Sequence, residues 1–300
     1  MLSTVYSIPL NEHKEENVER GTAYFPCSAY TGEVHQFITK SLPPHWHREM
    51  EMFVLDEGMV RITTVNGDFE LHPGDGYFVN SNILHGIYAL TEMPCRFHSI
   101  VFDPAIISGA PGSAFDLLYI RPFIEHASPI WSLSQENSDS SLDIFLSFEN
   151  AYQACAMEQE DYEFIVREAL SRIILKLKNK QNHLQTPQTS QQELRIKDML
   201  TWIDTHYADS VTVTQLADSA GISVRECQRS FSATLHTTPM NYLMNYRIAA
   251  AAKLLRTTNL PITEIALRCG FESPSYFTKQ FKSLIGKSPR QYRFKLHYPV

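Results

Sequence analysis

Apolar positions change their period once along this chain, and the change divides it. Between residues 22 and 102 they fall in short continuous or alternating runs, Glu33–Thr39, Met52–Leu55, Val60–Val65, Asp68–Leu71, Gly76–Val79 and Phe97–Phe102, separated by EGM, NGD and PGDG turns. That pattern predicts a compact all-β unit, a sandwich or barrel. Asn66-Gly67, lying between two alternating runs, predicts a two-residue type I′ hairpin, which needs positive φ at both central residues. From Leu142 the spacing becomes i, i+3, i+4: Leu142, Phe145, Leu146 and Glu149, then Tyr162, Ile165, Val166, Ala169, Leu170, Ile173, Ile174 and Leu177. Two amphipathic helices follow the β unit, their apolar stripe packing either on that unit or against a second chain. The stretch Asn179–Glu193, NKQNHLQTPQTSQQE, has no periodicity and reads as a linker. The expected class is α+β, with a first domain over 1–180, a linker over 181–193 and an all-α domain over 194–300.

The helical part repeats at about 50 residues. Leu216, Ala217, Gly221 and Ile222 return as Ile265, Ala266, Gly270 and Phe271; Phe231, Pro239 and Tyr242 return as Phe281, Pro289 and Tyr292. Each half has the logic of a helix-turn-helix. An alanine (Ala217, Ala266) allows close helix crossing, a glycine (Gly221, Gly270) supplies the left-handed turn, and a serine (Ser223, Ser273) caps the next helix. That next helix presents Arg225, Gln228 and Arg229 in the first copy, and Ser275, Tyr276, Thr278 and Lys279 in the second, with Phe231 and Phe281 inward. Such a helix suits a major groove, where arginine pairs with guanine and glutamine with adenine. Met240–Thr257, without internal Gly or Pro, reads as one connecting helix that spaces two recognition helices about 34 Å apart, with Pro261 opening the next helix.

Composition sharpens the division. At 43% hydrophobic and 20% charged the 300 residues suit two globular domains and exclude a disordered chain. No apolar run reaches 18 residues, and Met1–Arg20 lacks both a basic and an apolar leader region, so a soluble, cytoplasmic protein with no membrane partner is expected. Five scattered cysteines without a CxxC pair argue against a disulfide framework or a zinc finger and read as buried thiols. The net charge of −7 discourages nucleic-acid binding only as a sum: residues 1–185 carry 12 basic against 25 acidic side chains, residues 186–300 carry 14 against 8.

The run Leu216-Ala217-x3-Gly221-x-Ser223, Arg229-x-Phe231, Thr238-Pro239-x2-Tyr242, Arg247, Leu254-Leu255, Ile265-Ala266-x3-Gly270-Phe271, Ser275-Tyr276-Phe277-x3-Phe281 and Gly286-x-Ser288-Pro289-x2-Tyr292-Arg293 resembles the DNA-binding domain of the AraC family of bacterial transcription regulators. Cys227 stands where the family usually has Leu, and His236 where Gly is common. The resemblance implies that Arg225, Gln228 and Arg229 read bases in the first repeat, while Pro274, Ser275, Tyr276, Thr278 and Lys279 form the corresponding surface of the second. That second surface has less hydrogen-bonding power and is expected to position more than to specify. The implied partners are a double-stranded DNA operator, a small-molecule effector, a second copy of the chain and, for an activator, RNA polymerase.

In the β unit, His45-x-His47-x3-Glu51-x6-Gly58, with Gly74–His85 later, resembles the two cupin motifs, although Thr39 replaces the usual upstream glycine and the second motif lacks its proline. On a single strand His45, His47 and Glu51 would share one face. With His85 from a neighbouring hairpin they form a first shell adequate for Zn, Ni, Fe or Mn, or else the lining of an effector pocket or a hydrogen-bonded framework. No metal is required for regulation. Tyr30 joins His45, His47, Glu51 and His85 as an effector-binding candidate, and with Trp46 it suits a sugar or sugar derivative, the ligand class that family habit implies. No catalytic nucleophile arrangement or phosphate loop appears, so the expected protein is a ligand-responsive regulator and not an enzyme. The alternatives are a metal-dependent cupin enzyme with a DNA-binding appendage, and a constitutive DNA binder whose barrel only dimerises.

Overall fold

The computed structural model describes residues 2–5, 20–37, 40–134, 139–180 and 190–297, and the side chains of 20–37, 40–134, 141–180 and 190–293. Most of the proposed linker, residues 181–189, and Thr39 lie outside the described residues. The chain divides into two compact units, one made chiefly of Glu15–Gln36 and Pro44–Ser190, the other of Gln191–Val300 together with Phe37–Pro43.

The first unit is built on two sheets. Its strands are β1 (Leu2–Val5), β2 (Cys27–Glu33), β3 (Ser41–His45), β4 (Met50–Glu57), β5 (Val60–Thr64), β6 (Phe69–Leu71), β7 (Gly76–Val79), β8 (His85–Ala89), β9 (Arg96–Phe102) and β10 (Ile130–Leu133). One sheet runs β1-β2-β9-β4-β7-β10, the other β3-β8-β5-β6. Between β9 and β10 come α1 (Ala105–Ser108), a π-helical turn over Asp116–Ile120 and α2 (Arg121–His126); α3 (Asp139–Met157) and α4 (Tyr162–Lys180) follow β10. The expected pair of helices is therefore present, preceded by a strand and short helices that the periodicity does not announce.

Alternation along the larger sheet separates two faces. Cys27, Phe102 and Met50 align across β2, β9 and β4, as do Ala29, Ile100, Met52 and Phe78 across β2, β9, β4 and β7; this face joins one core with Phe145, Phe148, Val166, Leu170 and Ile173 of α3 and α4. The opposite face carries the aligned rows Ser28–Val101–Glu51–Val79 and Tyr30–Ser99–Phe53–Tyr77. The helical stripe is thus satisfied within the unit, but shifted from its expected positions. Ile144 and Phe148 are buried, whereas Leu142, Leu146 and Ile165 are exposed.

Three local expectations change. The Glu33–Thr39 run is not a strand, because β2 ends at Glu33 and Val34–Gln36 form a 3-10 turn. The Asn66-Gly67 turn is not type I′, since only Gly67 has positive φ, at 125°. Instead the Thr64 hydroxyl accepts the Asn66 N–H at 3.2 Å and donates to the Gly67 carbonyl at 2.7 Å, closing a four-residue turn that holds Asn66 at negative φ. Pro261 caps the following helix instead of entering it, its extended ψ of 144° placing it just before the first turn.

The second unit comprises α5 (Gln191–His206), α6 (Val213–Ser219), α7 (Val224–Leu235), α8 (Pro239–Thr257), α9 (Ile262–Arg268), α10 (Pro274–Ile285) and α11 (Pro289–His297). The helices α6–α7 and α9–α10 are the two repeats, and α8 is the connecting helix. Both turns close identically: Ile222 N–H reaches Ala217 O and Gly221 N–H reaches Asp218 O, matched by Phe271 to Ala266 and Gly270 to Leu267. Gly221 and Gly270 take φ of 62° and 76°, as such closures require. At Gly270 an added Cβ would stand 2.7 Å from the Tyr207 carbonyl oxygen, so this position demands glycine on two counts.

Candidate effector site and nucleic-acid interface

His45, His47 and Glu51, expected on one strand, come from three segments: His45 ends β3, His47 lies in the connection between β3 and β4, and Glu51 projects from β4, while His85, expected from a neighbouring hairpin, opens β8. The single-strand geometry is therefore wrong although the convergence it predicts is present. Ring centroids lie 4.4 Å apart for His45–His85, 5.4 Å for His47–His85 and 5.9 Å for His45–His47. One nitrogen from each ring falls within 4.8 Å of the others, and all three residues and Glu51 are buried.

Two backbone carbonyls decide where the imidazole protons are. His47 Nδ1 lies 2.9 Å from Glu49 O, and His85 Nδ1 lies 2.8 Å from Ile83 O. A carbonyl only accepts, so both Nδ1 atoms carry hydrogen and each ring turns its Nε2 inward. Those Nε2 atoms are buried, at 3.5 and 3.4 Å from Glu51 Oε2. Burial pushes the Glu51 carboxyl up, but contact with His47 and His85 more than offsets this and holds it well below the usual range. Each Nε2 sits against an ionised carboxylate, a place for positive charge that either a proton on the ring or a metal ion would supply. Donors bound at about 2.1 Å to a tetrahedral ion stand about 3.4 Å apart, so these separations fit one. The fixed Nδ1–H groups also provide the outer hydrogen bonds that orient metal-binding histidines.

Tyr30 belongs to the same inner face through its alignment with Ser99, Phe53 and Tyr77. It reaches the histidines indirectly. Its hydroxyl accepts from Arg20 Nη1 at 2.9 Å, Arg20 also lies over its ring at 5.4 Å, and Arg20 Nε stands 3.8 Å from Glu49 Oε2, itself 4.0 Å from His47 Nδ1. Arg20 and Glu49 were invisible to motif reading. The usable signal is the neighbourhood of Glu49, two residues from both His47 and Glu51.

In the second unit, the Ser223 and Ser273 hydroxyls each accept the N–H three residues on, at 3.2 and 3.3 Å, starting α7 and α10. Cys227 and Phe231 bury one face of α7; Phe277 and Phe281 do the same for α10. Arg225, Gln228 and Arg229 are exposed together on α7. Ser275, Tyr276 and Lys279 are exposed on α10, while Pro274 and Thr278 are half-buried, with the Thr278 hydroxyl donating to Pro274 O at 2.9 Å. Arg229 is held by Glu226 of its own helix at 2.6 Å, a partner that its expected role did not include. Arg247, on α8, donates to the carbonyls of Tyr207 and Asp209 at 2.6 and 2.7 Å, fixing the chain between α5 and α6.

Comparison with known proteins agrees with both units. A cupin domain family matches residues 34–101 and a helix-turn-helix domain family matches residues 216–295. The chain is 25% identical over 285 residues to the uncharacterized HTH-type transcriptional regulator YdeC of Bacillus subtilis, covering 95% of this chain and 97% of that one. It is 24% identical over 271 residues to the HTH-type transcriptional activator RhaS of an Enterobacter species, covering 90% and 94%. Among solved structures, ToxT of Vibrio cholerae aligns over 91% of this chain and 99% of its own at 15% identity, with a TM-score of 0.44. Both relatives are named as transcription regulators. The chain thus carries a cupin domain ahead of paired helix-turn-helix motifs and is similar over most of its length to HTH-type transcription regulators, in keeping with the AraC-type resemblance of its second unit.

Proposed function

We propose that this regulator is a cytoplasmic homodimer that senses a small molecule at the His45, His47, Glu51 and His85 cluster and reads an operator with α7 and α10. The two inward Nε2 atoms against an ionised Glu51 carry the sensing half of this reading, because such a set is made to hold a cation. Zn, Ni, Fe or Mn would be held by the three imidazoles and Glu51, and it would supply a Lewis-acidic anchor for an effector oxygen. The aligned Ser28, Tyr30, Ser99, Phe53 and Tyr77 combine hydroxyls with aromatic faces, which supports a sugar or sugar derivative as the ligand class.

On the DNA side, Arg225, Gln228 and Arg229 read bases; Pro274, Ser275, Tyr276, Thr278 and Lys279 position the second repeat. An effector counts as allosteric here only if it binds two arrangements of the chain differently, with coupling of about 1–3 kcal/mol. The domain division behind this reading is 1–180, a linker over 181–193 whose last three residues already belong to α5, and 194–300; an activating member would also touch RNA polymerase.

The test joins metal content to ligand response. Purified full-length protein is analysed for bound metals, then screened by thermal shift with sugars, and any hit is carried into DNA-binding titrations. Near-stoichiometric metal and a hit that changes DNA affinity at least fivefold support the reading. A metal-free protein that rejects added divalent ions, with no ligand altering DNA affinity, overturns the sensing half and leaves a constitutive DNA binder. Chemical turnover of the bound sugar would instead favour the metal-dependent enzyme alternative.

A further inference from the structure

Two thiols face each other across the interface between the larger sheet and its helices. Cys27, the first residue of β2, and Cys155, in the last turns of α3, place their Sγ atoms 3.7 Å apart although 128 positions separate them in sequence. Both are reduced and buried. Their surroundings are apolar: Ala29, Phe102, Phe148, Ala151 and Tyr152 belong to the same core, and the half-buried Phe25 and Tyr162, edge to face at 5.6 Å, lie at its margin. We infer that Cys27 and Cys155 form a reversible, oxidant-driven disulfide that fastens α3 to β2.

The geometry needs little adjustment. A disulfide bond is about 2.05 Å long, so the sulfurs must close by about 1.7 Å, a movement that side-chain rotation and a small shift of α3 share. Both residues lie near the ends of their elements, where local opening is easiest and a small oxidant gains entry. The two thiols are unlike. Burial pushes the Cys27 thiol well up; contact with Cys27 brings the Cys155 thiol down, helped by the Ala29 backbone N–H. Cys155 is therefore the first to act as a thiolate.

With hydrogen peroxide as oxidant, the Cys155 thiolate attacks one peroxide oxygen, the O–O bond breaks, and the departing hydroxide takes a proton to become water. The resulting sulfenic acid is attacked at sulfur by Cys27; the S–O bond breaks, a second water leaves, and the S–S bond forms. Two thiols lose two electrons and one peroxide becomes two waters. Because residues alternate along β2, fastening Cys27 on the helix side also restrains the strand that presents Ser28 and Tyr30 on the opposite face.

The test uses the full chain. It is exposed to graded hydrogen peroxide, blocked with N-ethylmaleimide, digested without reduction and mapped by mass spectrometry, with thermal melting in parallel. The expected result is a Cys27–Cys155 cross-linked peptide two hydrogens lighter than its parts, reversed by dithiothreitol, and a melting temperature higher by about 5 °C in the oxidised form. Cys155→Ser and Cys27→Ser should lose both effects, and Cys95→Ser should keep them. Should either serine variant fail to fold, the wild-type map decides alone. Recovery of both cysteines as maleimide adducts, their conversion to sulfinic acids, or their pairing with Cys95, Cys227 or Cys269 would overturn the inference.

Discussion

His236 and Gly286 occupy the same turn fifty residues apart, each closing a recognition helix in the left-handed conformation, at φ of 50° and 79°. Only one of them is suited to it. A side chain in this region costs about 1–2 kcal/mol relative to glycine, and glycine loses about 0.5–1 kcal/mol to its unfolded-state entropy. His236→Gly should therefore stabilise the protein by about 0.5–1 kcal/mol, and Gly286→Ala should destabilise it by about 1 kcal/mol. No atom crowds Gly286, so the second effect is conformational. Chemical denaturation of both variants checks this; equal and opposite failure, with His236→Gly destabilising, would show that the histidine side chain contributes more than its backbone costs.

His98 gives the first unit a pH-dependent clasp. Its ring joins Asp56, at the end of β4, to Glu149 of α3, at 2.8 Å on each side, on the helix-facing side of the sheet. Burial alone would lower its pKa, but the two carboxylates raise it from 6.5 to about 9, while His98 holds Glu149 below the usual carboxylate range. A raised pKa contributes stability in full below about 6.5, lost as pH climbs through about 9; the lowered Glu149 contribution disappears as pH falls through its folded value. Melting temperature should fall between pH 7 and pH 10, and His98→Gln should flatten that slope and lower stability at pH 7 by about 1–2 kcal/mol. An unchanged slope in the variant would contradict the clasp.

Metal addition should stabilise the first unit by mass action. At one hundred times its dissociation constant, an ion that binds only the folded chain contributes about 2.7 kcal/mol. A melting shift of several degrees with added Zn, Ni, Fe or Mn is expected, abolished in His47→Ala and His85→Ala. A shift preserved in both variants would place the ion elsewhere.

Glu226 should weaken DNA binding by occupying Arg229. Their contact at 2.6 Å joins an exposed arginine to a half-buried glutamate of the same helix, so it adds little to stability. Glu226→Ala frees the guanidinium and removes a negative charge from the proposed DNA face of α7, and a several-fold gain in nonspecific affinity at low salt follows. Arg225→Ala should instead cost about 1–3 kcal/mol at a cognate site. Fluorescence anisotropy over a salt series separates the two, and a loss of affinity in Glu226→Ala would contradict this role.

What was legible in the chain follows from how local each feature is. Gly221, Ser223, Gly270 and Ser273 act within one turn, so the doubled helix-turn-helix could be read from spacing, even to the left-handed glycines. The histidine cluster was legible as a set of residues but not as an arrangement. Its shape depends on the connection through His47 and on the pairing of β4 with β7 and β9, neither of which a motif encodes. Arg20 enters only through burial against Tyr30. The π-helical turn and β10 are too short to impose a period, and the Thr64 hydroxyl overrode the turn that Asn66-Gly67 suggested.

Selection of bound duplexes from a random pool by the full-length protein tests DNA reading most directly. Two enriched sequence blocks about one helical turn apart are expected, roughly 10 base pairs, with the first block relaxed at one or two positions by Arg229→Ala. No enrichment, or an enriched site that Arg225→Ala and Arg229→Ala leave unchanged, would contradict the assignment of α7 as the principal reading helix.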